Sequence, residues 1–286
     1  MTTQIPFRKF HGLGNDFAII DWRGQAPRDW SRTAITLCDR HTGIGADGFL
    51  VIESTPDADA RMRIVNSDGT EAQMCGNGIR CVAKVLSEER GQKDTQLTIA
   101  TAGGLRTIKT TGTGGQFRAA VSMGRPETTA SRIPANFGAH LTSSEILDHP
   151  IEDGLRVTCV SMGNPHAVFF FEPDQPLDLA SFGPHYETDP RFPARVNVQV
   201  ARVSSRNQLR LDTWERGAGI TQACGTGACA TVVAGILTNR LDPAGEVTVQ
   251  LPGGPLTIFW PNSGAEVIMT GPATEVFRGT FTDPVP

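Results

Sequence analysis

Apolar and polar residues alternate along much of the chain, the period expected of strands with one buried face. Phe17–Asp21, Gly48–Glu53, Arg61–Val65, Leu97–Ala100 and Gly104–Lys109 read as strands in the first half. Leu155–Val160, Ala167–Phe171, Val196–Val203, Leu209–Trp214, Val247–Leu251, Leu256–Trp260 and Glu266–Met269 do so in the second. Three stretches change to a helical period. Ser31–Asp39 is short and amphipathic, whereas Gly76–Glu89 and Gly225–Thr238 are apolar on nearly every side. Helices with few polar faces are usually buried, for example inside a curved sheet.

The two apolar helices belong to a repeat. A shift of 149 residues places Cys75-Gly76-Asn77-Gly78 on Cys224-Gly225-Thr226-Gly227, Gln73 on Gln222, Gly14-Asn15 on Gly163-Asn164 and Ala18 on Ala167. A shift of 150 places LTIATAGGLRTI (97–108) on VTVQLPGGPLTI (247–258). Matches strung along nearly one offset indicate an internal duplication. The expected class is α/β of the α+β kind. Two pseudo-symmetric domains are predicted, each a curved, mostly antiparallel, barrel-like sheet around a central helix. The break falls near residues 122–135, where Gly124-Arg125-Pro126 and Ile133-Pro134 interrupt the strand pattern. The tail from Pro272 has no partner at this shift and is expected to return to the first domain. The predicted domains are residues 1–122 with 272–286, and residues 123–271.

Composition narrows the function classes. The 286 residues can bury a core of about 70–75% of the unfolded surface. A formal charge of −4 argues against a nucleic-acid partner, because no basic excess is available for phosphates. The first residues, MTTQIPFRKFHGLG, lack the pattern of a signal peptide, and no apolar run approaches the length of a membrane span, so a cytoplasmic protein is expected. The cysteines at 38, 75, 81, 159, 224 and 229 show no CxxC spacing, so neither a zinc site nor a disulfide framework is expected. None of Lys9, Lys84, Lys93 and Lys109 sits in a setting distinctive of a pyridoxal Schiff base. No cofactor and no metal are expected.

Cys75 and Cys224 stand apart from the other four cysteines, which read as buried and inert. Each precedes a Gly-x-Gly that opens a predicted helix. A helix N-terminus presents unpaired N–H groups and partial positive charge, so it binds anions. The same position lowers the pKa of a thiol. Two such turns facing one ligand would aim donors at a carboxylate and bring thiols to both faces of the adjacent carbon. One thiolate could then remove an α proton while the opposite thiol returns one.

Five segments carry a family resemblance: HGLGNDF (11–17), NSDGTEAQMCGNGIRC (66–81), SMGNPH (161–166), RVN (195–197) and ERGAGITQACGTGACA (215–230), with LPGG (251–254) in support. Over essentially the whole chain the sequence resembles the diaminopimelate epimerases. The resemblance implies a cofactor-independent two-base epimerase that interconverts LL- and meso-diaminopimelate, with its active site in a cleft between the domains, and a homodimer. It implies Cys75 and Cys224 as base and acid, with the amides of Gly76, Asn77, Gly225 and Thr226 around the reacting carboxylate. His166 and Glu215 match residues that sit beside the thiols. Asn15, Asn66, Asn164, Asn197, Arg216 and Glu215 match residues that hold the substrate, largely at its non-reacting end.

The residues themselves make these roles sensible. Glu215 with Arg216 offers an acceptor and a bidentate donor, the needs of an ammonium and a carboxylate. Glu215 also lies as far from Cys224 as Asn66 does from Cys75. Asn66 could equally shape the turn with Ser67-Asp68-Gly69, and Asn197 has no independent signal. The other five histidines read as structural. Gly48 stands where some family members carry a polar side chain, and Phe277 where the family can have a tyrosine at a dimer contact. Three alternatives stay open. Two share the fold: a proline-type racemase, and a phenazine-type isomerase that lacks the cysteine pair. The third is a binding protein with Cys75 and Cys224 as a redox switch.

Overall fold

Among the described residues eighteen strands and four α-helices follow one another in chain order. The computed structural model describes residues 4–138, 143–243, 245–261 and 263–283. The predicted domain termini at 1–3 and 284–286 lie outside the described residues. The chain divides into one unit of residues 1–121 with 270–286 and a second of residues 122–269.

The first unit begins with β1 (Gln4–Gly12), β2 (Asn15–Asp21), α1 (Ser31–Cys38), β3 (Gly48–Glu53) and β4 (Ala60–Asn66). It continues through β5 (Glu71–Ala72), α2 (Gly76–Glu89), β6 (Thr95–Thr101), β7 (Gly104–Thr111) and β8 (Arg118–Ser122). The second comprises β9 (His149–Pro150), β10 (Arg156–Ser161), β11 (Pro165–Phe171), α3 (Leu179–Glu187), β12 (Asn197–Ser205) and β13 (Gln208–Glu215). Its remaining elements are β14 (Gly219–Thr221), α4 (Gly225–Leu237), β15 (Val247–Leu251), β16 (Gly254–Phe259) and β17 (Ile268–Gly271), after which β18 (Thr274–Thr282) belongs to the first unit.

Within the first unit the strands run β18-β1-β2-β3-β4-β6-β7-β8. All of these pairings are antiparallel except β2 with β3 and β4 with β6. The α2 helix packs against β1, β2, β3, β4, β6 and β7. Burial runs unbroken from Gly76 to Ser87, so the helix is enclosed by its sheet. Ile79, Val82, Val85 and Leu86 face this core, and Arg80, which is also fully buried, is stitched into it by hydrogen bonds.

The second unit repeats the plan as β9-β10-β11-β12-β13-β15-β16, antiparallel except for β11 with β12 and β13 with β15. Its central helix α4 packs against β10, β11, β12 and β16. The duplication extends to register. Phe17 pairs with Gly48 and, 149 residues later, His166 with Asn197. Leu50 pairs with Ile64, and Gln199 with Thr213. Ala60 pairs with Ile99, and Leu209 with Val249.

Among the described residues seven elements lie beyond the pattern-based reading: β1, β8, β18, α3 and the two- or three-residue strands β5, β9 and β14. Helix α3 is disguised by Gly183-Pro184, which reads as a turn. It forms because Asp178 caps it, accepting from the amide of Ala180, and because Gly183 packs against Trp214, where a Cβ would come within 2.4 Å of the indole. Strand β18 pairs antiparallel with β1 from Gln4↔Thr282 to His11↔Thr274. Among the described residues no helix is long and apolar enough to cross a membrane.

Candidate active site

In each unit a short non-regular segment after β5 or β14 delivers a cysteine to the N-cap of the buried helix. Cys75 is the N-cap of α2, with extended backbone angles (φ −140°, ψ 114°) that let its sulfur fold back over the helix start. Its Sγ accepts from the amide of Gly78 at 3.4 Å. It also lies 3.8 Å from Asn15 Oδ1, to which the thiol can donate. Asn77 donates to the same oxygen at 3.1 Å and in turn accepts from Arg80 at 2.9 Å. Asn15, Cys75 and Asn77 thus form one polar cluster at the N-terminus of α2.

Asn15 has its orientation set from the other side. Its Nδ2 donates to Asp47 Oδ2 at 2.9 Å, and the Asp16 amide donates to the same carboxylate oxygen. Arg40 bonds both Asp16 and Asp47, while Lys9 pairs with Asp16 at 2.6 Å. Burial disfavours charge on Asp16, but the hydrogen bonds from Arg40 and Lys9 outweigh it and hold the carboxyl well below its usual range. Asn66 ends β4 and closes the tight turn that follows, its side chain donating to the Thr70 hydroxyl at 3.0 Å while its backbone N–H donates to the Thr70 carbonyl. Gly48 leaves the Phe17 ring 3.4 Å from where a Cβ would stand.

Cys224 occupies the matching N-cap of α4 but is buried. Burial first, then the charge of Glu215, pushes its thiol well above the usual pKa, and the Thr226 hydroxyl offsets this only in part. The sulfur lies 3.6 Å from Thr226 Oγ1. Glu215, at the end of β13, accepts from the Thr221 hydroxyl at 2.6 Å. The expectation of a lowered pKa at both cysteines therefore fails at Cys224. The favourable helix terminus is outweighed there by desolvation and a neighbouring carboxylate. Other buried thiols are pushed up by burial as well, Cys38 to about 11 and Cys81 to about 12.

Asn164 enters from the β10–β11 turn and His166 from the start of β11. His166 is fully buried, with its Nε2 within hydrogen-bond distance of Asn164 Oδ1 at 3.0 Å. Burial, with the charge of Arg216 adding to it, lowers its pKa from 6.5 to about 3, so the ring is neutral near pH 7. Its other nitrogen lies 3.2 Å from Gln199 Nε2, and Gln199 Oε1 accepts from Thr213 at 2.7 Å. Asn197 spends its amide on the scaffold: Nδ2 donates to the Pro165 carbonyl at 2.8 Å, and Oδ1 accepts from the Arg216 amide at 3.0 Å. The exposed Arg216 guanidinium donates to the Ala194 carbonyl at 2.8 Å.

Several contributors escaped the sequence reading. Buried Glu187 accepts from Trp214 Nε1 at 2.7 Å and the Gly217 amide at 2.8 Å, and pairs with Arg195 at 2.6 Å. It anchors the turn that carries Glu215 and Arg216. Asp47, Arg80, Gln199 and Thr213 likewise act behind the predicted residues. Only Gln199 and Thr213 had a signal: at the repeat shift they are polar where the first copy has Leu50 and Ile64. Elsewhere in the second unit Glu152, His185 and Asp189 converge, and Arg191 bonds both carboxylates of that group.

The family model described as diaminopimelate epimerase matches residues 7–129 and 158–276. A diaminopimelate epimerase of Gloeothece citriformis (strain PCC 7424) is 46% identical over 286 residues, covering 97% of this chain and 99% of that protein. Among solved structures, a phenazine biosynthesis protein of Bacillus anthracis superposes with a TM-score of 0.71 at 16% identity, covering 98% of this chain and 99% of that one. A hydroxyproline epimerase of Agrobacterium vitis gives the same score and identity, covering 100% and 95%. At that identity the two structures establish the fold alone.

Proposed function

The chain belongs to the diaminopimelate epimerase family and interconverts LL- and meso-diaminopimelate, a step of lysine biosynthesis, and we propose that it does so with Cys75 and Cys224 as a two-base pair. The observation that carries this mechanism is the duplication of one device: a cysteine at the N-cap of the enclosed helix in each unit. Inversion at an α carbon needs a base on one face and an acid on the other. A thiolate takes the α proton as the C–H bond breaks, leaving its electron pair on carbon. The opposite thiol gives its proton to the other face and becomes the thiolate. Each turnover therefore exchanges the two thiol states, and reversal of direction exchanges the roles.

Cys224, whose pKa burial and Glu215 raise, is the proton donor in the resting protein. Backbone N–H groups of Gly76, Asn77, Gly225 and Thr226 hold the reacting carboxylate and stabilise the negative charge that develops beside it. Asn15, Asn66, Asn164, Asn197, Glu215 and Arg216 hold the remainder of the substrate. Neutral His166 supplies a hydrogen-bonding group rather than a charge. No resident cofactor is required, because the developing charge is met by helix amides. We read the protein as a cytoplasmic homodimer, with exposed Val276 and Phe277 of β18 at the contact, and sedimentation of the purified protein tests that state.

The deciding experiment is α-proton exchange on LL-diaminopimelate in deuterated water with no cofactor added. Deuterium should enter the α position as the meso isomer forms. Activity on proline without activity on diaminopimelate would move the assignment to a proline-type racemase. No exchange by the reduced, folded protein would favour a redox-switched binding protein.

A further inference from the structure

The polar chain through His166 has no counterpart in the other copy of the repeat. At the 149-residue shift His166, Gln199 and Thr213 fall on Phe17, Leu50 and Ile64, and the strand registers coincide. Phe17, Leu50 and Ile64 are all buried. The fold therefore closes over these three places with apolar side chains. Polar groups there cost stability unless each is bonded, so their presence in the second unit answers to something other than packing.

The bonds run in one direction. The Thr213 hydroxyl donates to Gln199 Oε1, which turns the Gln199 amide hydrogens toward His166 Nδ1. Nδ1 then accepts, the single ring proton lies on Nε2, and Nε2–H donates to Asn164 Oδ1. With its oxygen occupied, half-buried Asn164 keeps its Nδ2 hydrogens as its side-chain donors. Gly227 completes the fit, since a Cβ there would lie 2.6 Å from Gln199 Nε2. The second glycine of the Cys224 turn thus makes room for the same chain.

We propose that Gln199 and Thr213 are positioning residues that fix His166 as the neutral Nε2–H tautomer and so set Asn164 as a hydrogen-bond donor to an anionic group, a carboxylate of the substrate. The proposal rests on the reading of His166 and Asn164 as part of the substrate site. It gives the second unit a task that the first, with Phe17, Leu50 and Ile64, does not share.

Histidine-selective 15N NMR of the intact protein at neutral pH tests it, with the His166 signals identified by their loss in His166→Gln. The expected result is a protonated Nε2 and an unprotonated Nδ1. Gln199→Leu, which installs the first copy's own residue, should release the ring to a mixture of tautomers. It should raise KM for diaminopimelate about tenfold, the loss expected for one hydrogen bond to a charged group, with a smaller change in kcat. A wild-type His166 protonated on Nδ1, or a tautomer unchanged by Gln199→Leu, would overturn the proposal. Should that variant not fold, the wild-type spectrum decides alone. The tautomer is read without turnover. An inactive protein with an Nε2–H ring would count against the epimerase mechanism and not against this assignment.

Discussion

Burial and the neighbouring Glu215 carboxylate, more than the helix terminus, set the thiol chemistry of Cys224. Glu215 disfavours the thiolate of Cys224, and removing that charge should reverse its contribution. Glu215→Gln is accordingly expected to shift the pH dependence of Cys224 alkylation toward lower pH, measured on the isolated peptide by mass spectrometry. His166 offers a stability test with a definite sign. Its pKa is about 3 in the folded protein against 6.5 ordinarily, so the unfolded chain binds more protons between those values. Its contribution is full above pH 6.5 and is lost as pH falls toward 3. Urea titrations across that window should show a shallower acid loss for His166→Gln than for the wild type. An unchanged slope would mean the ring is not held neutral.

At the scale of elements, helix α3 orders the turn that carries Glu215 and Arg216, the pair proposed to hold the substrate. Its last residue, Glu187, bonds the indole at the end of β13 and the amide of Gly217, tying the Glu215-Arg216 turn to a buried carboxylate. Glu187→Ala leaves those donors unpaired and should cost about 2 kcal/mol in urea unfolding, with a raised KM from the loosened turn. Gly183→Ala should be worse tolerated than an ordinary helical Gly→Ala exchange, which usually stabilises, because the added Cβ meets the Trp214 ring. Thermal denaturation of both variants against Asp178→Ala, which removes the N-cap bond to Ala180 and the bond from the Ser181 hydroxyl, separates these contacts from simple helix weakening.

For the whole molecule, duplication of one unit turns a single N-capped thiol into a pair of chemically unequal thiols. Cys75 is half-buried in an open polar cluster, and Cys224 is buried beside a carboxylate. Under the proposed two-base mechanism, removal of either should be equally damaging, since each turnover would use both. Cys75→Ala and Cys224→Ala are each expected to lower kcat by about a thousandfold or more, within the range for loss of a general acid or base, while melting temperatures change little. Full activity in either single variant would refute the two-base mechanism.

The sequence by itself determined the architecture of each unit. Periodicity located the enclosed helices and most core strands, because burial of one face imposes a two-residue repeat and full enclosure removes the polar face altogether. The near-constant offset disclosed the duplication, and Cys75 and Cys224 stood out because they recur at its matching turns. What the sequence left hidden has a common physical cause. Strands β1 and β18 complete each other across nearly the whole chain, and helix α3 depends on Trp214 to accommodate Gly183-Pro184. The raised pKa of Cys224 and the neutral His166 ring depend on burial, and the orientation of the Asn15 amide depends on Asp47 and Asn77, distant in sequence. Buried polar groups take their protonation and direction from neighbours that only the folded chain assembles, and the tertiary structure alone decided them.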